Sequence, residues 1–298
     1  MTEQHVPVLA ETLAEKIKLP QDAVMVDATV GHGGHSFLFG QRLGPEGVLI
    51  GFDVDEKSLA IAGERLSSLA CRVELVRENF ALIGSELAKL GIGEADFVLA
   101  DLGICSAQLS DMERGLSVQV NMPLDMRMDE RLETTAADIV NKEEESKLAD
   151  IIYEFGEERG SRRIAAAIIE YRRGQKVMTT GQLASIVCRA LSKPVSGYWG
   201  RIHPATKTFQ ALRIAVNSEL ENLRLFLRAL PAVLKGSGRA AVISFHSLED
   251  RIVKEDFRNN QRKGVYRQVS KKPITAGAAE VAANPRSRSA KLRIAEKR

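Results

Sequence analysis

Short apolar, β-branched runs alternate with amphipathic stretches through the first hundred positions. Residues 23–30 (AVMVDATV) are the first such run and lead into a glycine-rich turn, GHGGHS, at 31–36. An apolar helical stretch follows, and 47–55 (GVLIGFDVD) reads as a second strand. Across 57–69, Leu59, Ala62, Leu66 and Leu69 recur at helical spacing and share one face. A third strand is expected at 71–79 (CRVELVREN) and a fourth at 95–103 (ADFVLADLG). Strands alternating with helices predict a parallel, doubly wound sheet with right-handed crossovers.

The pattern changes over 111–205, which contains no convincing strand. Helical spacing runs through 133–155 and 161–173, then through 179–191, where a threonine stands at the N-cap position. A long amphipathic helix is expected over 207–234, and strand character returns at 238–247 (GRAAVISFHS). Residues 290–297 (AKLRIAEK) alternate and could close the sheet as a last strand. The economical organisation is an α/β domain, 1–110 and 206–298, interrupted by a helical domain at 111–205.

Composition narrows the class. At 298 residues, 44% hydrophobic and 27% charged, the chain is neither fibrous, disordered nor a disulfide framework. No stretch approaches the ~18 apolar residues of a membrane helix, and no secretory h-region opens the sequence, so a cytoplasmic protein with no membrane partner is expected. Cys71, Cys105 and Cys188 are odd in number and far apart, which fits a reducing compartment and neither a disulfide nor a metal set. His32, His35, His203 and His246 are likewise too scattered for a zinc spacing. The net charge of +3 conceals an asymmetry: residues 262–298 hold eleven Lys/Arg against two Glu, +9, which leaves −6 for the rest. A polyanion partner or a merely solvated basic tail would each account for it.

The turn at 27–36 carries the first chemistry. Glycines between a strand and a helix let backbone approach a ligand closely. Asp53 closes the second strand 22 residues after Gly31, where a carboxylate can accept both hydroxyls of a ribose. Together they point to a nucleoside-containing cofactor. Ser36 stands where the dinucleotide fingerprint needs Gly or Ala, which argues against a nicotinamide cofactor. Asp27, four residues before the first glycine, makes Asp-x-Thr-x-Gly-x-Gly-Gly, which resembles the S-adenosylmethionine loop of class I methyltransferases, where an acid sits near the methionyl portion. Phe80 follows the third strand, placed either to pack on adenine or to join the core. Asp101 ends the fourth strand, at the carboxyl edge where open α/β sheets bind ligands. An exocyclic amine is a weak nucleophile because its lone pair is conjugated into the ring, and oxygens accepting its N–H bonds raise its reactivity and align it.

Several long motifs occur in order: HVPVL (5–9), DATVGHGGHS (27–36), DLGICSAQLS (101–110), PLDMRMD (123–129), GEERGSRRIA (156–165), HPATKTFQALRI (203–214), ISFHSLEDRIVK (243–254) and NPRSRSAKLR (284–293). On these the chain resembles the bacterial small-subunit rRNA cytosine-N4 methyltransferases, the RsmH/MraW type, over nearly its whole length. The resemblance implies a class I, Rossmann-like fold with an inserted helical substrate-recognition domain, and S-adenosylmethionine as cofactor. It implies cofactor contacts at Gly33, Gly34, His35, Asp53, Phe80, Asp101 and Gln108, with Asp101 also catalytic. It further implies a cytidine in the decoding region of 16S rRNA as acceptor, cytidine 1402 by family expectation, within the small ribosomal subunit. Cys105 and Ala107 stand where the family usually has Ser and Pro, and Asn121-Met122 where it usually has Asp-Gly.

Other conspicuous residues have plainer readings. Cys105 needs no covalent role in amine methylation. Ser244, His246 and Glu249 lie too close along a strand end for a hydrolase triad, and HSLED reads as a loop beside the substrate cleft. Arg127 with Asp125 and Asp129 would line an RNA site or form an ion-pair cluster, and Tyr198 and Trp199 would stack on a base or pack. Three rival activities remain open at this level: methylation of DNA or of adenine, a nicotinamide-dependent dehydrogenase, and a non-catalytic RNA-binding protein. Monomer and homodimer are both compatible with these residues.

Overall fold

The structure, a computed structural model, describes residues 7–104, 114–197 and 202–298. The chain divides into two compact units, one of 1–103 with 220–298 and one of 104–219.

The first unit is built on a seven-stranded sheet: β1 (Val24–Asp27), β2 (Val48–Phe52), β3 (Arg72–Val76), β4 (Ala95–Asp101), β5 (Leu234–Ser244), β6 (Tyr266–Val269) and β7 (Lys291–Lys297). Their spatial order is β3-β2-β1-β4-β5-β7-β6. The first five run parallel, whereas β7 pairs antiparallel with both β5 and β6. This is a Rossmann-like, mostly parallel sheet. The strand at 290–297 is therefore the last in sequence but not in space. The sheet ends instead on β6, which the hydrophobic pattern did not reveal because YRQV is short and half polar.

Alternate strand residues serve two separate cores, because successive side chains point to opposite faces. Val26, Ile50, Val98, Ala240 and Val242 face one cluster, with Phe226, Leu230 and Phe257 from helices above them. Met25, Leu49, Phe97, Leu99 and Ala241 face the other, against Leu13, Phe39 and Leu66. Burial on both faces explains why these strands read as continuous apolar runs. Each fully buried Leu, Ile or Phe contributes about 1.5–3 kcal/mol. The helices flanking the sheet are α1 (Ala10–Lys16), α2 (Gly34–Gly40), α3 (Glu56–Leu66) and α4 (Ile83–Lys89) in the first half of the chain.

The second unit holds α5 (Ala136–Lys142), α6 (Glu145–Gly156), α7 (Ser161–Gly174), α8 (Thr180–Ala190) and α9 (Thr206–Asn217) around its own core, which includes Leu148, Ile152, Ile164, Ile168, Leu183 and Leu212. Two starts are fixed by capping boxes, Thr135 with Asp138 on α5 and Thr179 with Gln182 on α8. Asn121 and Met122 also secure α8: the Asn121 carboxamide oxygen accepts from Gly181 N–H, and Met122 N–H donates to the Thr180 hydroxyl. Arg127 forms a two-pronged pair with Asp125 and donates to the Leu132 carbonyl, which is the ion-pair arrangement.

The long helix expected over 207–234 is two helices. Ser218 takes a left-handed conformation, φ +50°, and breaks the run between α9 and α10 (Glu219–Val233). Helix α9, grouped by sequence with 206–298, packs within the helical unit. Helix α11 (Ser247–Arg262) follows β5, so HSLED is a helix start rather than a loop, and a short α12 (Ala278–Ala283) precedes β7. Among the described residues no helix is long and apolar enough to cross a membrane.

Part of the basic tail is folded structure. Arg293 and Lys291 pair with Asp250, and Arg267 and Arg239 with Glu296. Arg293 and Lys291 hold the Asp250 carboxyl below its ordinary range even though burial works to raise it.

Candidate active site

Strand order puts β1 between β2 and β4, so the chain leaves β1 towards one side and later returns on the other. Such a switch opens a crevice at the carboxyl ends of these strands. Asp27, Asp53 and Asp101 end or follow β1, β2 and β4 and converge on it.

The loop after β1 is held from below and beside. Val30 N–H donates to the Phe52 carbonyl, and Gly31 N–H donates to the Asp53 carboxylate at 3.0 Å. Gly31 and Gly33 adopt positive φ, +48° and +74°, which favours glycine at both. Gly34 begins α2, where a Cβ would lie 2.8 Å from the Pro7 ring. Asp27 is 1% exposed and accepts from Thr29 N–H and from the Ser36 hydroxyl, the latter at 2.7 Å. Burial pushes its carboxyl up, opposed by His35 and by those hydrogen bonds. Both carboxylate oxygens of Asp27 thus hold the loop together. Ser36, which sequence marked only as a departure from the dinucleotide fingerprint, is its partner.

Asp53 accepts from Gly31 through one oxygen and from Asp55 N–H through the other, at 2.9 Å. Burial pushes this carboxyl up to about 6 despite those bonds. Val54 N–H also opposes the rise, and hydroxyl donors would likewise favour the charged form that burial opposes.

Asp101 has its N–H anchored on the Thr29 hydroxyl at 2.7 Å, a tie that sequence reasoning did not foresee. One carboxylate oxygen lies 3.5 Å from His35 Nε2, and the side chain is 23% exposed. The other oxygen is buried with no hydrogen-bond partner, and so are both ring nitrogens of His35, itself 6% exposed. Buried polar groups are normally satisfied, so this set of unmet atoms marks a place shaped for a polar ligand. In donor and acceptor character, the methionyl end of S-adenosylmethionine would fit the His35 nitrogens and its ribose the Asp53 oxygens, while the unmet Asp101 oxygen remains open to an amine donor.

Phe80 opens a 3-10 turn, half-buried, with its ring edge-to-face against Phe226 at 5.4 Å. It joins the core on one side, which leaves both sequence readings compatible. His246 caps α11: its Nδ1 accepts from Glu249 N–H, and Glu249 accepts from the Phe245 and His246 N–H groups. These two residues close a capping box, and Ser244 donates instead to the Lys291 carbonyl. Gln108, Cys105, Ala107, Tyr198 and Trp199 lie outside the described residues.

Comparison with known proteins gives a consistent result. A family model described as the MraW methylase family matches residues 2–298. A ribosomal RNA small subunit methyltransferase H from Geobacter sp. (strain M21) is 46% identical over 308 residues, covering 98% of each chain. The protein of that name from Acidobacterium capsulatum is 45% identical over 300 residues and 99% of each chain. A third, from Geotalea daltonii, is 47% identical over 311 residues, 99% of this chain and 98% of its own.

Proposed function

Since the chain belongs to the MraW methylase family, we propose that it methylates the exocyclic N4 amine of a cytidine in the decoding region of 16S rRNA, the cytidine 1402 of the family expectation. It is a methyltransferase of class I fold, and S-adenosylmethionine is its methyl donor. The acceptor is taken from the names of its relatives, small-subunit rRNA methyltransferases. The small ribosomal subunit, in the cytoplasm, is then the working partner, and 104–219 the unit that recognises it.

The bound donor supplies an electrophilic sulfonium methyl whose positive charge disappears on transfer. Asp53 would accept the ribose hydroxyls, Phe80 would pack beside the adenine, and Gly33, Gly34 and His35 would wall the methionyl end. Asp101 meets the acceptor. Its carboxylate accepts N–H bonds from the N4 amine, counteracting the conjugation that makes that amine a weak nucleophile, and fixes it in line with the methyl. As the N–C bond forms and the S–C bond breaks, N4 must lose a proton, and Asp101 takes it directly or through water. The Thr29 hydroxyl, bonded to Asp101 N–H, keeps the carboxylate at the strand end.

The observation that carries this reading is Asp101: a partly exposed carboxylate at the sheet's carboxyl edge, with one buried oxygen that has no hydrogen-bond partner and the other 3.5 Å from His35 Nε2. The test supplies methyl-labelled S-adenosylmethionine, purified protein and unmodified small subunits, with naked rRNA and DNA in parallel. Digestion and mass analysis should find N4-methylcytidine in the small-subunit RNA. Label in adenine, in DNA or nowhere would overturn the reading.

A further inference from the structure

The helical unit has sixteen acidic and sixteen basic residues across 104–219, yet they are strongly segregated. From 159 to 213 there are eleven Lys/Arg and a single acid, Glu170. The fold gathers many of these cations at one place. The start of α7 meets the end of α8, so closely that a Cβ on Gly160 would lie 2.5 Å from the Leu191 side chain. Arg159, Arg162 and Arg163 flank Gly160, and Arg189 and Lys193 flank Leu191. Lys207, at the start of α9, reaches the same corner by donating to the Glu157 carbonyl at 2.9 Å.

All six are exposed. Among the described residues, the side chains of Arg159, Arg162, Arg163, Arg189 and Lys193 have neither an ion pair nor a hydrogen bond. Nearby Glu158 accepts from Gly160 N–H and forms no ion pair with any of the five. Arg162 and Arg163 also sit in the first turn of a fourteen-residue helix that has no acid there, where the helix dipole disfavours cations. Folding alone would not select this arrangement, and an extended polyanion would. Elsewhere on the unit the opposite holds: a groove is lined by Glu133, Glu143, Asp150 and Glu154, where the ion-paired Lys147 is outnumbered.

We infer that the corner formed by Arg159, Arg162, Arg163, Arg189, Lys193 and Lys207 docks the sugar-phosphate backbone of the RNA acceptor. This rests on the reading that the acceptor is RNA and adds which face of the helical unit engages it. The α5–α6 face, with its acidic groove, stays clear of phosphate.

The probe is a decoding-region rRNA transcript, with binding to full-length protein followed by fluorescence anisotropy at several salt concentrations. The variant is Arg162→Glu with Arg163→Glu. Acids in a helix's first turn suit its dipole, so the pair should fold at least as well as the parent. Two lost phosphate contacts lower the slope of log affinity against log salt by about 1.4–1.8, or roughly 25- to 60-fold in affinity at 0.1 M salt. The control, Lys142→Glu with Lys147→Glu, makes the same change in net charge on exposed residues of the acidic face and should leave slope and affinity unchanged. S-adenosylmethionine binding, read by thermal shift, should be the same for all three proteins. A parental slope in the Arg162/Arg163 variant, an equal loss in the control, or no RNA binding by the parent overturns the docking surface. Methylation of small subunits by the parent is scored separately. RNA binding that depends on the Arg pair, without any methyl transfer, would keep the surface and sink the acceptor reading.

Discussion

Asp53→Asn should stabilise the ligand-free protein above pH 6 and at the same time weaken S-adenosylmethionine binding. Burial at the end of β2 pushes the Asp53 carboxyl up to about 6, with Asp55 adding to the rise and backbone N–H groups opposing it. In the unfolded chain an aspartate titrates near 3.9. Below about pH 4 both states are protonated and the group contributes nothing. Between about pH 4 and 6 the unfolded chain releases the proton and the folded one keeps it, so stability falls as pH rises. Above pH 6 the full cost persists. Two pH units at 1.36 kcal/mol each set a ceiling of about 3 kcal/mol. Asparagine removes that cost but has one carbonyl oxygen, so it can accept from Gly31 or from Asp55 and not both, a loss of about 1 kcal/mol. The net expectation is a gain of roughly 1–2 kcal/mol at pH 8 and none, or a small loss, at pH 4.5. Urea unfolding of both ligand-free proteins at the two pH values measures it. Titration calorimetry should show S-adenosylmethionine binding weakened by about tenfold or more, as a charge-assisted bond to the ribose is lost. A stability difference that is the same at both pH values would refute the argument, as would unchanged cofactor affinity.

Ser36→Ala should cost about 1–3 kcal/mol in urea unfolding at pH 7, because it strips the buried Asp27 carboxylate of its closest donor. Gly33→Ala forces a Cβ into φ +74° and should cost about 1–2 kcal/mol, with a smaller thermal shift on adding S-adenosylmethionine. Arg293→Leu leaves Asp250 without its nearest cation and should cost about 3 kcal/mol at pH 7. The Asp250 carboxyl lies below its ordinary range, so that stability is present above about pH 4 and lost as pH falls through the depressed value. The gap between parent and variant should therefore close in acid.

Much of the fold was legible because burial on both faces leaves β1, β2 and β4 as predominantly apolar runs, the first two each followed by a helix signal. The threonine N-cap of α8 was readable for a similarly local reason, and the structure completes it as a capping box with Gln182. What escaped depends on backbone choices that apolar spacing does not encode. The break at Ser218 lies within an amphipathic run, and only its left-handed φ divides α9 from α10. Strand β6 exists because β7 offers it an edge, a non-local cause. In the site, Asp53 and Asp101 could be singled out because they end strands at a ligand-binding edge. The tie from Thr29 to Asp101 and the bond from Ser36 to Asp27 join different parts of the crevice, and no spacing rule announces them.

The most direct test of the account is Asp101→Asn under single-turnover conditions, with saturating S-adenosylmethionine and small ribosomal subunits. Asparagine keeps an oxygen to orient the amine but cannot take its proton, so methyl transfer should slow by about 100-fold or more while RNA affinity stays near the parental value. Transfer at the parental rate would contradict the account, because the carboxylate at the end of β4 would then have no part in the chemistry.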